Sequence, residues 1–391
     1  MDSRGERTDT GTETRKLQQV GGGTYTLSIP KAWADERDLA AGMELHLFSH
    51  ADGSIVVRDA DTDGSHLASV ELAVEGDDPA LVERTLRSAH TAGFETVRLV
   101  PRNVDGDSDS DSGSDRNANA NANTTATDAS GEFTDAQRET ARTVARTLVG
   151  TDLLTDDAGE VAVGHLLDAA TVSVQQSVVQ LQFTVLAVLE RATTAVLAGD
   201  TGAADRLGER REEADRLCRM VERHFARSLV SLEELDRLDV SRTALFDHYV
   251  VAQALEGVAE EALGIARVAD DVEEGVPAAV APSVRETADL AAEVVEHGTS
   301  AVLDDTRTTA GAHQALDAGE EVHARTAAAE RVLFDESVGA RAAVGTVRTL
   351  DALARTADCG ATAARTALRG ATRAEDADQS AVPSVSVDEE R

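Results

Sequence analysis

The side chains best placed to do chemistry are cations gathered in one short stretch. Of 37 Lys+Arg in the 391-residue chain, the two lysines, Lys16 and Lys31, both fall between Glu13 and Asp59, with Arg15, Arg37 and Arg58 beside them. Cationic groups on a small β-rich unit suit phosphate oxygens, which accept charge-assisted hydrogen bonds. The same stretch carries Glu13, Asp35, Glu36, Asp38, Glu44, Asp52 and Asp59, so it is not basic overall. At molar salt, with a Debye length of about 3 Å, any contact with DNA must rest on close hydrogen bonds and shape.

Other chemistries find less support. The histidines are scattered, and His313 and His323 form no metal-type pair. No Ser-His-Asp order, nucleophile elbow or phosphate loop is apparent, so no enzymatic activity is expected. Cys218 and Cys359 sit in helical patterns without metal spacing and read as small core residues.

The cations must be positioned by the elements around them. Tyr25 to Ile29 alternates with strand period and stops at Pro30, which marks a switch from strand to helix. A helix is expected from Lys31 to Leu39, a strand from Met43 to Phe48, and a hairpin at Asp52-Gly53 leading into Ile55 to Val57. Four short strands and one helix make a unit too small to bury much of itself, so it needs a partner.

Further along, Val70 to Val74, a helix opened by Asp77-Asp78-Pro79, and Val97 to Val100 form a β-α-β element over residues 67–101. It has no glycine-rich turn, so nucleotide binding is not read there. Residues 102–131 are an Asp/Ser/Asn-rich linker with almost nothing to bury, expected to be disordered, as are the tails 1–12 and 373–391. The Asp tract fixes no calcium ligands in space. A helix from Phe133 to Val149 and a short apolar segment turned at Ala158-Gly159 follow.

From Ser173 onward the period is helical. One helix ends at Gly199-Asp200, a second carries Ala214, Cys218, Val221, Phe225, Leu232 and Leu235, and a third starts at Val240-Ser241. Gly275-Val276-Pro277 breaks the run, and three more helices follow, near 282–303, 312–334 and 338–370. Ala254 to Glu260 lies over Ala352 to Asp358, and Glu212-Glu213 over Glu320-Glu321, a degenerate internal repeat. Two antiparallel three-helix bundles account for the pattern.

The formal charge of −35, with 72 Asp+Glu and few aromatics, is the composition of a cytoplasmic protein kept at molar salt, a salt-in halophile. Its acidity reads as hydration chemistry. Met1 to Glu6 is polar, with no secretory signal. The apolar stretch Val178 to Leu189 is interrupted by Gln180, Gln182 and Thr184 and falls short of the ~18 residues that span a bilayer, so no membrane insertion is expected.

Two resemblances join these observations. Arg15-Lys16-Leu17, Val20-Gly21-Gly22, Tyr25 to Lys31 with Trp33, Gly42 to Leu45 and Asp52 to Val57 resemble the SpoVT/AbrB swapped-hairpin DNA-binding domain in its archaeal variant. This implies an obligate homodimer with interleaved strands, in which Arg15, Lys16, Lys31 and Arg37 face DNA. Thr24 stands where that family usually has arginine. Glu212 to Leu217 and Arg355 to Ala364 resemble helix motifs of PhoU, and residues 66–165 resemble the segment that archaeal PhoU-like regulators place before their bundles.

The resemblance implies a mainly α fold: a swapped-hairpin domain over 13–60, the β-α-β element, and two PhoU-like helical units at 132–275 and 276–372. It implies a phosphate uptake regulator acting on transcription through DNA. The alternative is protein contact with a phosphate ABC transporter or sensor kinase, the hairpin domain only dimerising. It also implies carboxylate pairs one helical turn apart as oxygen donors to a divalent metal or iron on the bundles. Here those positions are Glu212, Asp215, Glu256, Glu260 and Asp358, and the spacing is eroded in the second repeat, where Ala354 partners Asp358.

Overall fold

The computed structural model describes residues 14–20, 23–49, 55–59, 65–102, 131–272, 274–304, 309–335 and 338–380. The Asp52-Gly53 turn, residues 103–130 of the expected linker, and residues 1–13 and 381–391 lie outside the described residues, whereas 373–380, expected to be disordered, are the last turns of the final helix. The chain divides into two units, 1–61 and 62–391.

In the first unit the expected four strands and one helix are present. β1 (Gln18–Val20) pairs antiparallel with β2 (Thr24–Thr26), and β3 (Leu45–Ser49) with β4 (Ile55–Asp59), as two separate ribbons. Between them lies α1 (Lys31–Glu36), entered from Pro30. Gly42, at φ +96°, makes the turn into β3, a conformation that suits glycine. The strand read over Tyr25 to Ile29 ends at Thr26, and Tyr25, Leu27 and Ile29 are all exposed. Among the described residues of this unit only Phe48 is buried.

The second unit opens with a sheet layer. β5 (Ser69–Glu75), α2 (Pro79–Thr91) and β6 (Thr96–Arg102) form the expected parallel β-α-β element, with Asp78 accepting from Ala80 N at 3.0 Å to cap α2. The next segment differs from expectation. Residues 132–165, assigned from sequence to the first helical unit, complete this sheet instead. α3 (Asp135–Thr147) packs on α2, while β7 (Thr151–Asp156) and β8 (Val161–His165) extend the strand order to β5-β6-β8-β7, β8 running antiparallel to both neighbours. The parallel pair leaves one edge of β6 unpaired, and the buried run Val161–Val163 covers it. Val82, Leu86, Leu99, Val144 and Val163 share the resulting core.

The helical region follows. α4 (Val174–Ala198) starts on the Ser173 cap and ends at left-handed Gly199. The seam read from Ala214 to Leu235 as one helix is two, α5 (Ala203–Ser228) and α6 (Leu232–Leu238), because the Ser231 hydroxyl accepts from Glu234 N and starts a new helix. α7 (Arg242–Asp271) is capped by Ser241, and α8 (Ala281–Leu303), α9 (Ala310–Asp335) and α10 (Ala340–Ser380) complete the chain.

α4, α5 and α7 make one three-helix bundle and α8, α9 and α10 the other, joined where α7 lies on α10 and α4 on α8. Facing seams of Ala, Val and Leu fill the interior. α8 and α10 meet backbone to backbone. A Cβ on Gly360 would stand 2.7 Å from Val295 N and 2.8 Å from Val294 O, and Gly298 faces Gly360 in turn. By length and composition α4 is apolar enough to cross a membrane, but here it is the core helix between α5, α7 and α8.

Candidate functional site

The cations of the first unit stand on separate elements. Arg15 and Lys16 precede β1, Lys31 is the first residue of α1 and Arg37 follows its end, and all four are exposed. Around them lie Leu17, Val20, Leu47 and Ile55, each more than half exposed, together with the alternating Tyr25 and Leu27. The unit thus offers water both cationic groups and apolar surface of a kind usually buried.

The carboxylates of the first bundle gather on α5 and α7. Asp215 is flanked along α5 by Arg211 and Arg219, an ion pair on each side, with Arg219 Nη2 at 2.9 Å. Arg211 also reaches Glu260 on α7 at 3.3 Å, and Arg267 reaches the same carboxylate at 3.4 Å. One turn before Glu260, Glu256 lies 3.4 Å from Cys218 Sγ. Burial raises the Glu256 carboxyl pKa, the Cys218 hydrogen bond works against this, and the neighbouring Asp215 raises it further. Glu222 is raised by burial and by Glu256, and burial pushes the Cys218 thiol well up, so that it is no thiolate at neutral pH.

Three of the five candidate metal ligands, Asp215, Glu256 and Glu260, are therefore neighbours. Exposed Glu212 lines a cavity of about 230 Å³ together with Asp215, Glu83, Thr143 and Arg216. Asp358, on α10 of the second bundle, pairs with His323 Nε2 of α9 at 3.0 Å. Among the described residues no group of three or more His, Cys, Asp or Glu side chains is arranged to hold a metal ion. Guanidinium groups face Asp215 from both sides, satisfying that carboxylate without a metal ion.

Sequence reasoning missed these arginines, although Arg211, Asp215 and Arg219 recur every fourth residue, the spacing that brings side chains together on one helix face. It also missed the buried network that holds the sheet layer to α5. Arg223, 1% exposed, donates from Nη1 to His90 O at 2.6 Å, at the end of α2, and to Phe94 O at 3.0 Å, just beyond it. Arg227 donates to Gly93 O at 2.7 Å and to Glu234 at 2.9 Å, and Glu234 meets His224 Nδ1 at 2.6 Å. Burial opposes ionisation of Glu234, yet the His224 hydrogen bond and the Arg227 charge hold its pKa below the ordinary value. Burial, reinforced by Arg223, lowers His90 to about 2 and His165 to about 3, so both imidazoles are neutral. Burial and Arg227 bring Arg223 itself down to about 10.

No protein-family model matches the chain, and a search of curated proteins finds no match. Among solved structures, PhoU from Pseudomonas aeruginosa is similar over 51% of this chain and 96% of its own, at 18% identity and a TM-score of 0.44. The phosphate transport system regulatory protein PhoU from Streptococcus pneumoniae is similar over 50% of this chain and 91% of its own, at 15% identity and a TM-score of 0.42.

Proposed function

We propose that this chain is a phosphate uptake regulator of the PhoU type, acting as a homodimer that reads DNA through its first unit. The observation that carries the reading is the surface of that unit. Its strands and the residues next to them expose Leu17, Val20, Tyr25, Leu27, Leu47 and Ile55, and Lys16 and Lys31 are exposed as well. A second copy laid on those strands removes the apolar surface from water and brings two sets of cations to one face. Two three-helix bundles behind such a unit, in the order the two sequence resemblances imply, supply a body for sensing or for docking a phosphate-transport component. The acidic residues interspersed in residues 13–59 favour a second reading, in which the unit only dimerises and the bundles contact a phosphate transporter or sensor kinase.

Genome-wide immunoprecipitation at high and low phosphate, in the native salt, separates the two. Peaks upstream of phosphate-transport genes that vanish in the Lys16→Ala, Lys31→Ala double variant are expected. A flat profile, or peaks untouched by the double variant, would sink DNA reading by this unit.

A further inference from the structure

One groove of the second unit is unlike the rest of this acidic chain. It runs between α2 and α5, has a volume of about 720 Å³ and is closed on one side by Tyr249 of α7. Two helix faces line it. Arg84, Arg87 and Ser88, then Thr91 and Ala92, recur at helical spacing on α2; Arg219, Glu222, Phe225 and Leu229 do so on α5. The α2 end is tied to Arg223 and Arg227, downstream on α5, while Arg87 and Arg219 also line one adjoining cavity, so the two helices run in the same sense. The groove is therefore graded. It is cationic at Arg84, Arg87 and Arg219 and apolar toward Ala92, Phe225 and Leu229.

The arginines keep hydrogen-bonding capacity. The carboxylate paired with Arg84, Asp78, stands 3.8 Å away, and both groups are exposed. Arg87 uses its Nε on Glu83 at 3.0 Å. Arg219 gives Nη2 to Asp215, while its buried Nη1 has no hydrogen-bond partner among the described residues. Guanidinium forks with the nearby Ser88 and Thr91 hydroxyls form a donor set for an oxyanion such as phosphate. Glu222 is the one carboxylate in the lining among the described residues.

The apolar end is aromatic. Phe, Tyr and Trp make up only 3% of the chain, yet Phe225 and Tyr249 stack here at 4.5 Å between centroids, with Phe246 at 5.9 Å from Phe225. A flat ring is the shape such a surface takes up. The volume lies within the ~300–1,000 Å³ of small-molecule sites.

We propose that the groove between α2 and α5 binds a nucleotide, its phosphate held by Arg84, Arg87 and Arg219 and its base lying against Tyr249 and Phe225. This stands apart from the regulatory reading, and neither depends on the other.

Calorimetric titration of the full chain with AMP, GMP, CMP and UMP, with adenosine and inorganic phosphate as controls, tests it. At least one nucleotide is expected to saturate at one per chain, with adenosine and phosphate each weaker by about tenfold or more. Arg87→Gln and Tyr249→Leu should each weaken binding about tenfold while leaving the thermal midpoint in place. Arg84→Glu, at an exposed position, carries the same expectation should Arg87→Gln fail to fold. Absence of saturation by all four nucleotides at millimolar concentration overturns the proposal. So does affinity unchanged in Arg84→Glu, or inorganic phosphate binding as tightly as the best nucleotide with Tyr249→Leu without effect.

Discussion

The two units solve the problem of apolar surface in opposite ways. In residues 62–391 leucines such as Leu245, Leu255 and Leu353 are at most 1% exposed, whereas in residues 14–59 Leu17, Leu27 and Leu47 are at least 60% exposed. The helical unit buries its seams in its own packing, although Leu166, Phe183 and Leu229 stay more than half exposed. The first unit has ribbons of three to five residues and one buried side chain among its described residues, little core of its own, and the homodimer proposed above would supply the rest. Stability of the first unit is thus expected to depend on concentration, and that of the second not.

The sharpest break in this contrast comes from the buried charges. Glu234→Ala strands Arg227 and His224 and is expected to cost about 3–5 kcal/mol in denaturant unfolding of the helical unit, with no change in self-association. Leu353→Ala should cost about 2–5 kcal/mol in the same measurement. Leu47→Ala should leave that transition in place and instead raise the dissociation constant of the dimer, read by sedimentation. Equal effects of the two leucine changes on the helical transition would erase the distinction.

Acid sharpens the contrast further. His90 and His165 have folded pKa values depressed from 6.5, so below about pH 6.5 the unfolded chain takes up protons that the folded chain refuses. Stability of the helical unit is full above that pH and declines as pH falls. Near pH 4.5 Glu234, also depressed, begins to add its own loss. Replacing both histidines by Gln should reduce the slope between pH 6.5 and 5, with buried His248, also depressed, leaving the remainder. The smallest expected effect is Thr134→Ala, which removes the α3 capping box for about 1 kcal/mol and should affect only the helical unit.

What could be read from the sequence was local. Ser173, Gly199, Ser241 and Pro79 mark helix ends by their own backbone chemistry, and the structure places them there. What could not be read was non-local. β8 pairs with β6 across residues 103–130, and nothing in Val161–His165 names its neighbour. Arg223 looks like any surface arginine of an acidic chain until His90, 133 positions away, supplies its carbonyl.

The carboxylates divide the same way. Helical spacing brings Glu256 and Glu260 onto one face and Asp215 beside them. Asp358, though aligned with Glu260 in the internal repeat, belongs to the other bundle, where His323 meets it. Glu212, exposed, lines a cavity beside Asp215 with Glu83 and Thr143.

The glycine crossing of α8 and α10 has a mechanical meaning. Helices that touch through long side chains can slip by letting rotamers change, because each knob has neighbouring holes to enter. At Gly298 and Gly360 no side chain stands between the two backbones, so there is no rotamer to change and any added Cβ meets main-chain atoms. The spacing of α8 and α10 is set there by backbone alone, and a side chain at either glycine must force the two helices apart.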